Sequence, residues 1–349
     1  MVYYYIDEII GGAGVLNWER MEQTMLSEHA ARASESKGRA RAEEPCTLRT
    51  CYQRDIDRII HSKAFRRLKH KTQCFLAPEG DHYRTRLTHA MEVSRIARTL
   101  ARVLRLNEDL TEAIALGHDL GHTAFGHAGE AALDAVMPGG FRHREQSLRV
   151  VDVLDRLKPD APPGLNLTFE VRDGILHHSG ETPAATWEGR LVALADRIAY
   201  LNHDLDDALR AGIFAERDLP SEVRALGDTT GRRIDALVHD VAAHTQASGE
   251  LGLSPERSEA VKAFRSFMFD ELYKHPIAKA EEGKAQDMLL QIFDYYMGSI
   301  DELPAEFAER LGSDGLPRVV CDYVAGMTDR YAVTCYHRLF IPSGWQGMG

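Results

Sequence analysis

From Asp55 onward, apolar residues recur at three- and four-residue steps, the period of a helix with one buried face. After Thr88 the stripe is Val93, Ile96, Ala97, Leu100, Ala101 and Leu104; further on it is Leu191, Leu194, Ile198, Leu201 and Leu205. C-terminal helices are predicted by Ile234, Leu237, Val238 and Val241, by Val261, Phe264, Phe267 and Leu272, by Met288, Ile292, Phe293 and Tyr296, and by Val320, Tyr323, Val324 and Met327. Proline and glycine interrupt the pattern at Pro78-Glu79-Gly80-Asp81, Pro138-Gly139-Gly140, Ala161-Pro162-Pro163-Gly164 and Gly180-Glu181-Thr182-Pro183, so loops are expected there. Alternating strand patterns are nearly absent and no internal repeat is found. The expected fold is therefore all-α.

The first residues differ. Ala30 to Glu44 is rich in Ala, Arg, Glu, Ser and Lys and almost without large apolar side chains, which predicts an exposed helix or a mobile arm within Met1 to Pro45. The organisation expected is a partly mobile N-terminal extension over 1–48, a core over 49–212, and a C-terminal helical region over 213–349 packed on that core. A chain of 349 residues can bury a substantial core in one composite body.

Composition narrows the class. Asp7 and Glu8 interrupt Met1 to Val15, so no signal-peptide pattern is present, and no segment approaches about 18 apolar residues. The five cysteines, Cys46, Cys51, Cys74, Cys321 and Cys335, show no C-x-x-C spacing, and an odd number fits a reducing compartment. A cytoplasmic protein is expected, without structural zinc. The net charge of -11 is unevenly placed: Arg49 to Arg105 carries fourteen Lys and Arg against five Asp and Glu, so that stretch is +9 and the remainder -20. A basic island in an acidic protein points to a local anionic ligand. Arg95, Arg98, Arg102 and Arg105 repeat at helical steps and read as a solvated face, whereas Arg54, Arg58, Arg66, Arg67, Lys71, Arg84 and Arg86 are candidates for phosphate contact, Arg86 above all.

The candidate chemistry centres on His118-Asp119, in the helix-like stretch Leu110 to Leu120, with His89 upstream and Asp196 downstream. Two imidazoles and two carboxylates suit a divalent metal such as Mn²⁺, Fe²⁺, Ni²⁺ or Mg²⁺. Adjacent side chains leave a helix roughly 100° apart and can lean toward one ion. The dipeptide alone is weak, since His203-Asp204 and His239-Asp240 also occur. His89 gains weight because it shares the buried face of Val93, Ile96 and Leu100. Asp196, Tyr200 and Asp204 form a second stripe at four-residue spacing on their helix.

Longer blocks surround these residues. They are Arg54-Asp55-Ile56-Asp57-Arg58-Ile59-Ile60-His61, Ala64-Phe65-Arg66-Arg67-Leu68, Lys71-Thr72-Gln73 and Tyr83-Arg84-Thr85-Arg86-Leu87-Thr88-His89. The run from Gly117 to Glu130, Phe141 to Arg149, and Ala193 to Tyr200 complete the set. In this order they resemble the HD superfamily of metal-dependent phosphohydrolases, and within it the bacterial dGTP triphosphohydrolase-like proteins. The likeness is strong from Leu48 to Ala211 and looser around Gly326-Met327-Thr328-Asp329-Arg330-Tyr331.

The resemblance implies an HD-domain helical fold with additional C-terminal helices, and a metal held by His89, His118, Asp119 and Asp196. It implies water attack at the α-phosphate of a dNTP, giving deoxynucleoside and tripolyphosphate. Such chemistry needs cations for phosphate oxygens and groups that move protons. Glu130 and His143 are implied as the catalytic pair, with His122 and His127 near the phosphates. Arg86 and Lys71 would steady the triphosphate; Tyr200 and Asp204 would meet the sugar, Asp204 accepting from the 3'-hydroxyl. His177-His178 has no role in this reading. Relatives of this kind form homo-oligomers, often hexamers, and some are switched on by an activating nucleotide. The alternatives are an HD-type nucleotidase or cyclic-nucleotide phosphodiesterase, or a protein that binds nucleotides or single-stranded nucleic acid along the basic island. The last lacks a dense aromatic platform, having only Tyr52, Phe65, Phe75 and Tyr83 across Arg49 to Arg105.

Overall fold

In the computed structural model, which describes residues 15–73, 84–274 and 281–342, most core helices begin where the sequence supplies a capping side chain. Helix α1 (Val15–Met25) precedes α2 (Cys51–His61), where Thr50 and Gln53 cap each other's backbone N–H groups. Thr85 and Thr88 do the same at α3 (Arg86–Leu104), and Asn107 caps α4 (Glu108–Gly117). Then come α5 (Gly126–Val136), α6 (His143–Arg149) and α7 (Phe169–Leu176). Thr186 caps α8 (Trp187–Arg210), the longest helix described, and α9 (Thr230–Ser248) and α10 (Pro255–Phe267) follow. The chain closes with α11 (Glu282–Gly298), α12 (Leu316–Ala325) and α13 (Asp329–Phe340). Among the described residues there are only isolated bridges and no strand, so the fold is all-α as expected. No helix among them is long and apolar enough to cross a membrane.

Helix α3 packs on α4, α8 and α9, and α2 packs on α4. On α3 the predicted stripe Val93, Ile96, Ala97, Leu100 and Ala101 is buried with His89; each large aliphatic side chain so placed contributes about 1.5–3 kcal/mol. This first apolar cluster continues through Leu237, Phe264 and Leu272. A second cluster joins α5, α11, α12 and α13 around Leu133, Leu289, Tyr296 and Val320. The chain passes from the first cluster at Leu120 to the second at Ala124. The candidate metal-binding turn lies at that crossing.

Four features depart from the sequence reading. Helix α4 stops at Gly117, so His118 is its C-cap and Asp119 lies in the following turn rather than within Leu110 to Leu120. The cause is Gly121: a Cβ there would stand 2.1 Å from the Ser147 nitrogen and 2.7 Å from the His143 carbonyl oxygen, so the turn presses directly on α6. Ala30 to Glu44 is neither an exposed helix nor a free arm. The Arg39 guanidinium bonds Asp55, the Asn166 carbonyl at 2.6 Å and the Cys51 carbonyl at 2.9 Å, while Glu188 accepts from Ala31 N at 3.0 Å and Glu170 from Lys37 N at 2.7 Å. Third, α10 ends at Phe267, and Leu272 is reached through a looser turn with wider hydrogen-bond spacing. Fourth, Arg105 is exposed like Arg95 and Arg102 of its series, but it is the left-handed C-cap of α3 (φ 55) rather than a further step of the helix face, and it donates to Met25 O. The loop expected at Pro78 to Asp81, like Cys74, Phe75 and Tyr83, lies outside the described residues.

Candidate metal centre

Helices α3 and α8 and the turn after α4 bring the four candidate ligands together. His89 sits one turn into α3 with its Nε2 3.0 Å from Asp196 Oδ1, which projects from the middle of α8. His118 donates from Nδ1 to the Ala115 carbonyl at 2.7 Å, which fixes its tautomer and leaves Nε2 as a lone pair. That Nε2 is buried without a hydrogen-bond partner, 3.5 Å from Asp119 Oδ1 and 3.7 Å from Asp196 Oδ1. The donor atoms of His89, His118 and Asp119 all lie within 4.8 Å of one another.

These spacings suit donors to one ion, since ligands about 2.0–2.2 Å from a metal stand roughly 3–4 Å apart. An orphaned buried nitrogen facing two carboxylate oxygens is otherwise costly. The residues fit a divalent metal.

Arg86, at the first position of α3, donates from Nη1 to Asp119 Oδ2 at 2.7 Å, leaving Oδ1 free for the cluster. Burial opposes the charged form of Asp119, but His118, His122 and Arg86 outweigh it and hold the carboxyl well below its ordinary range. For Asp196 too, burial opposes the charged form but is overcome by the His89 hydrogen bond, bringing it to about 2. The turn is pinned from behind: Ser147 Oγ donates to the His118 carbonyl at 2.7 Å and accepts from Gly121 N at 2.9 Å.

Beside the cluster, His122 lies with Nε2 3.4 Å from Asp119 Oδ1 and its ring stacked on His143, centroids 4.0 Å apart. Burial, with Arg86 and His143 adding to it, pushes His122 far below the usual histidine range. His143 Nδ1 is 3.0 Å from both Glu130 oxygens, and its backbone N–H donates to Glu130 Oε1 at 2.8 Å. Hydrogen bonds from His127 and His143 outweigh burial and keep Glu130 a carboxylate. His127 is 3.4 Å from Glu130 Oε2 but 78% exposed.

The remaining candidates are placed less uniformly. Lys71 is buried and donates to the His122 and Ala325 carbonyls, the latter at 3.0 Å; burial, assisted by Arg67, brings its amine down to about 7. Arg54 and Arg58 pair with Glu43, and Arg84 with Asp206 at 3.0 Å and Asp207 at 3.1 Å. Arg66 and Arg67 line a separate cavity of about 510 Å³, whose walls include none of the four candidate ligands. Tyr200 is half-buried on α8, and Asp204 is buried and accepts from the Tyr273 hydroxyl at 2.5 Å. His239 is exposed, whereas His203 stands edge-on to His89 with centroids 5.9 Å apart.

Three neighbours escaped the sequence reading. Ser147 lies inside the quoted Phe141 to Arg149 block with nothing to mark it. Tyr273 is 69 residues from Asp204 and carries no signal. His178 could have been suspected from the unexplained His177-His178 pair: its Nε2 is 3.2 Å from His143 Nε2, and its ring stands edge-on to His118 at 5.0 Å.

A helical frame that converges two histidines and two aspartates beside a buried arginine defines a class, the metal-dependent phosphohydrolases of the HD type. The HD domain matches residues 86–201, and the phosphohydrolase-associated domain matches residues 251–338. Proteins named deoxyguanosinetriphosphate triphosphohydrolase-like are similar over nearly the whole length. One from Caldanaerobacter subterraneus subsp. tengcongensis is 54% identical, covering 94% of this chain and 96% of its own. One from Clostridium perfringens is 47% identical, covering 93% and 97%, and one from Desulfatibacillum aliphaticivorans is 46% identical with the same coverage. The chain belongs to the deoxyguanosinetriphosphate triphosphohydrolase-like family of the HD superfamily.

Proposed function

We propose that this protein hydrolyses deoxynucleoside triphosphates to deoxynucleoside and tripolyphosphate. The observation that carries the reading is the line of groups on either side of the metal cluster. Arg86, His122 and the Glu130–His143 pair stand on one flank. Tyr200 and the Asp204–Tyr273 pair lie one and two turns beyond Asp196 on α8, about 6 and 12 Å along the helix. That spacing suits a phosphate at the cluster and a sugar along α8.

His89, His118, Asp119 and Asp196 would hold a divalent ion (Mn²⁺, Mg²⁺, Ni²⁺ or Fe²⁺), which supplies Lewis acidity to a phosphoryl oxygen and to the attacking water. Arg86 fixes the Asp119 carboxylate and adds positive charge where non-bridging oxygens gather. Glu130 holds the His143 ring, which gives or takes the proton of the reaction. Lys71 anchors the His122 carbonyl and so acts on the triphosphate side through the backbone. Asp204 offers an acceptor to the 3'-hydroxyl, and Tyr200 and Tyr273 crowd the 2' position, which disfavours ribonucleotides.

Phosphorus NMR of early time points, with each dNTP alone and in mixtures and with each candidate metal, tests this. dGTP, the substrate in the relatives' name, is the first to assay, and the mixtures expose any requirement for an activating nucleotide. Tripolyphosphate without early orthophosphate or pyrophosphate is the expected result. Monophosphate plus pyrophosphate would reassign the protein to another phosphohydrolase activity, and no turnover under any pairing would favour a nucleotide-binding role.

A further inference from the structure

Asp329 opens α13, whose first turn is capped by Thr328 through Tyr331 N at 3.2 Å. An acid at that position ordinarily serves its own helix end. Here the buried carboxylate reaches two distant segments instead. Oδ2 accepts from Thr72 N at 2.9 Å and from the Thr72 hydroxyl, while Oδ1 accepts from Phe125 N at 2.9 Å. Phe125 needs such a hold, being a bulky residue in the left-handed conformation (φ 61) followed by Gly126 at φ 55. Together the two residues turn the chain out of the candidate metal-binding turn and into α5, which carries His127 and Glu130. Gly126 lies directly under Arg86. A Cβ there would stand 3.1 Å from Arg86 Nη2, 3.6 Å from the Gln73 carbonyl oxygen and 3.7 Å from that of Thr72. The strap 71–73 is joined in turn to the head of α3: Arg86 N donates to the Lys71 carbonyl at 3.0 Å, and Thr72 pairs with Thr85 in an isolated antiparallel bridge. Three segments thus meet around one guanidinium, and Asp329 bonds two of them at once.

We propose that Asp329 is a positioning residue: by tying the strap to the left-handed entry of α5, it sets where Arg86 stands relative to His127 and Glu130. The C-terminal helices hold the same strap a second time, through Lys71 Nζ on the Ala325 carbonyl at 3.0 Å. The second apolar cluster therefore shapes the phosphate flank of the site without placing a side chain in it. An effect on turnover rests on the proposed dNTP hydrolysis, whereas the tie itself does not.

An amide offers one acceptor and one donor where the carboxylate offers two acceptors, so in Asp329→Asn one of the two segments loses its partner whichever way the side chain turns. That variant is expected to lower kcat about 10–100-fold, the scale of a small misplacement at a reacting site. KM and bound metal should stay within about threefold, because none of the four candidate ligands is bonded to Asp329. Thr72→Val, which removes the hydroxyl donor, should lower kcat in the same way, and Thr72→Ser should recover most of it. The double variant Asp329→Asn with Thr72→Val should be no slower than the slower single one by more than about twofold. Val320→Ala, a buried truncation in the same C-terminal cluster, should lower Tm and leave kcat within about twofold. Amide hydrogen exchange of the full-length protein with Mg²⁺ and no nucleotide should show Thr72 and Phe125 both protected in wild type. In Asp329→Asn one of the two should exchange about tenfold faster or more, with the helices of the first cluster unchanged. Wild-type kcat in Asp329→Asn overturns the proposal, as do a change confined to KM, metal loss parallel to the loss of rate, or an equal loss of kcat in Val320→Ala at equal Tm. Rapid exchange at both amides in wild type does so as well. Should Asp329→Asn not fold, Thr72→Val against Thr72→Ser decides by the same kcat and exchange readings. If wild type hydrolyses no dNTP, the hydrolysis reading falls, and exchange alone decides whether Asp329 ties the strap to α5.

Discussion

Glu188, in the first turn of α8, is fully buried, yet it holds two backbone groups of other segments: Ala31 N at 3.0 Å and Asn107 N at 2.9 Å, both on Oε1. Its Oε2 has no partner. Burial is the largest influence and raises the carboxyl from 4.5 to about 7, against the pull of those N–H groups. A carboxyl raised on folding binds its proton more tightly in the native state. Its protonated form therefore stabilises fully below the unfolded value, and this contribution is lost as pH climbs through the native one. Each unit is worth about 1.4 kcal/mol, so the full cost of ionising Glu188 is about 3 kcal/mol, of which about 2 kcal/mol falls between pH 5.5 and 8. Glu188→Gln keeps an oxygen for Ala31 and Asn107 and replaces the ionising group by an uncharged one. Urea unfolding of both proteins across that range should show the variant gaining about 2 kcal/mol on the wild type as pH rises. Parallel curves, or a wild type that gains on the variant, would refute the argument.

Asp119→Asn and Asp196→Asn should each lose the metal while circular dichroism stays helical; asparagine is the better probe because alanine at 119 would leave Arg86 buried and unpaired, a cost of about 3–5 kcal/mol. Elemental analysis showing full metal in both would reject the ligand assignment, and His239→Ala, on an exposed site, should keep its metal. Ser147→Ala, which removes the hydroxyl joining the His118 carbonyl to Gly121 N, should cost about 1–3 kcal/mol of stability and weaken metal binding about 10–100-fold. Thermal melts and a metal titration at wild-type values would show that the turn stands without it.

The helical stripes could be read because each reports a single face meeting a single core. Val93, Ile96 and Leu100 on α3 and Leu191, Ile198 and Leu205 on α8 are buried as their spacing predicts, and His89 is buried with them. The segment before α2 could not be read in the same way. Its order comes from Arg39, Ser36 and backbone N–H groups reaching Asp55, Glu170 and Glu188, partners up to 157 residues away that leave no periodic trace. The end of α4 was hidden for a related reason. Gly117 to Gly121 retains helical-looking residues, and only the approach of α6 against Gly121 opens the turn. Hydroxyls fare worst, since neither Ser147 nor Tyr273 differs locally from a surface residue of the same type.

The contact at Gly121 also governs when the active geometry comes into being. A turn carrying His118, Asp119 and His122 lies backbone to backbone against the first residues of α6, which carry His143. The separation between the two groups of side chains is thus a property of two main chains in contact, with no long side chain to swing between alternatives. Such a joint closes once, as the chain folds, and an arriving phosphorylated ligand meets a mould already set rather than one it must shape. Stiffness here would show as fast, single-step association, and loosening the joint with a side chain at 121 would convert the same residues into a site that its ligand has to assemble.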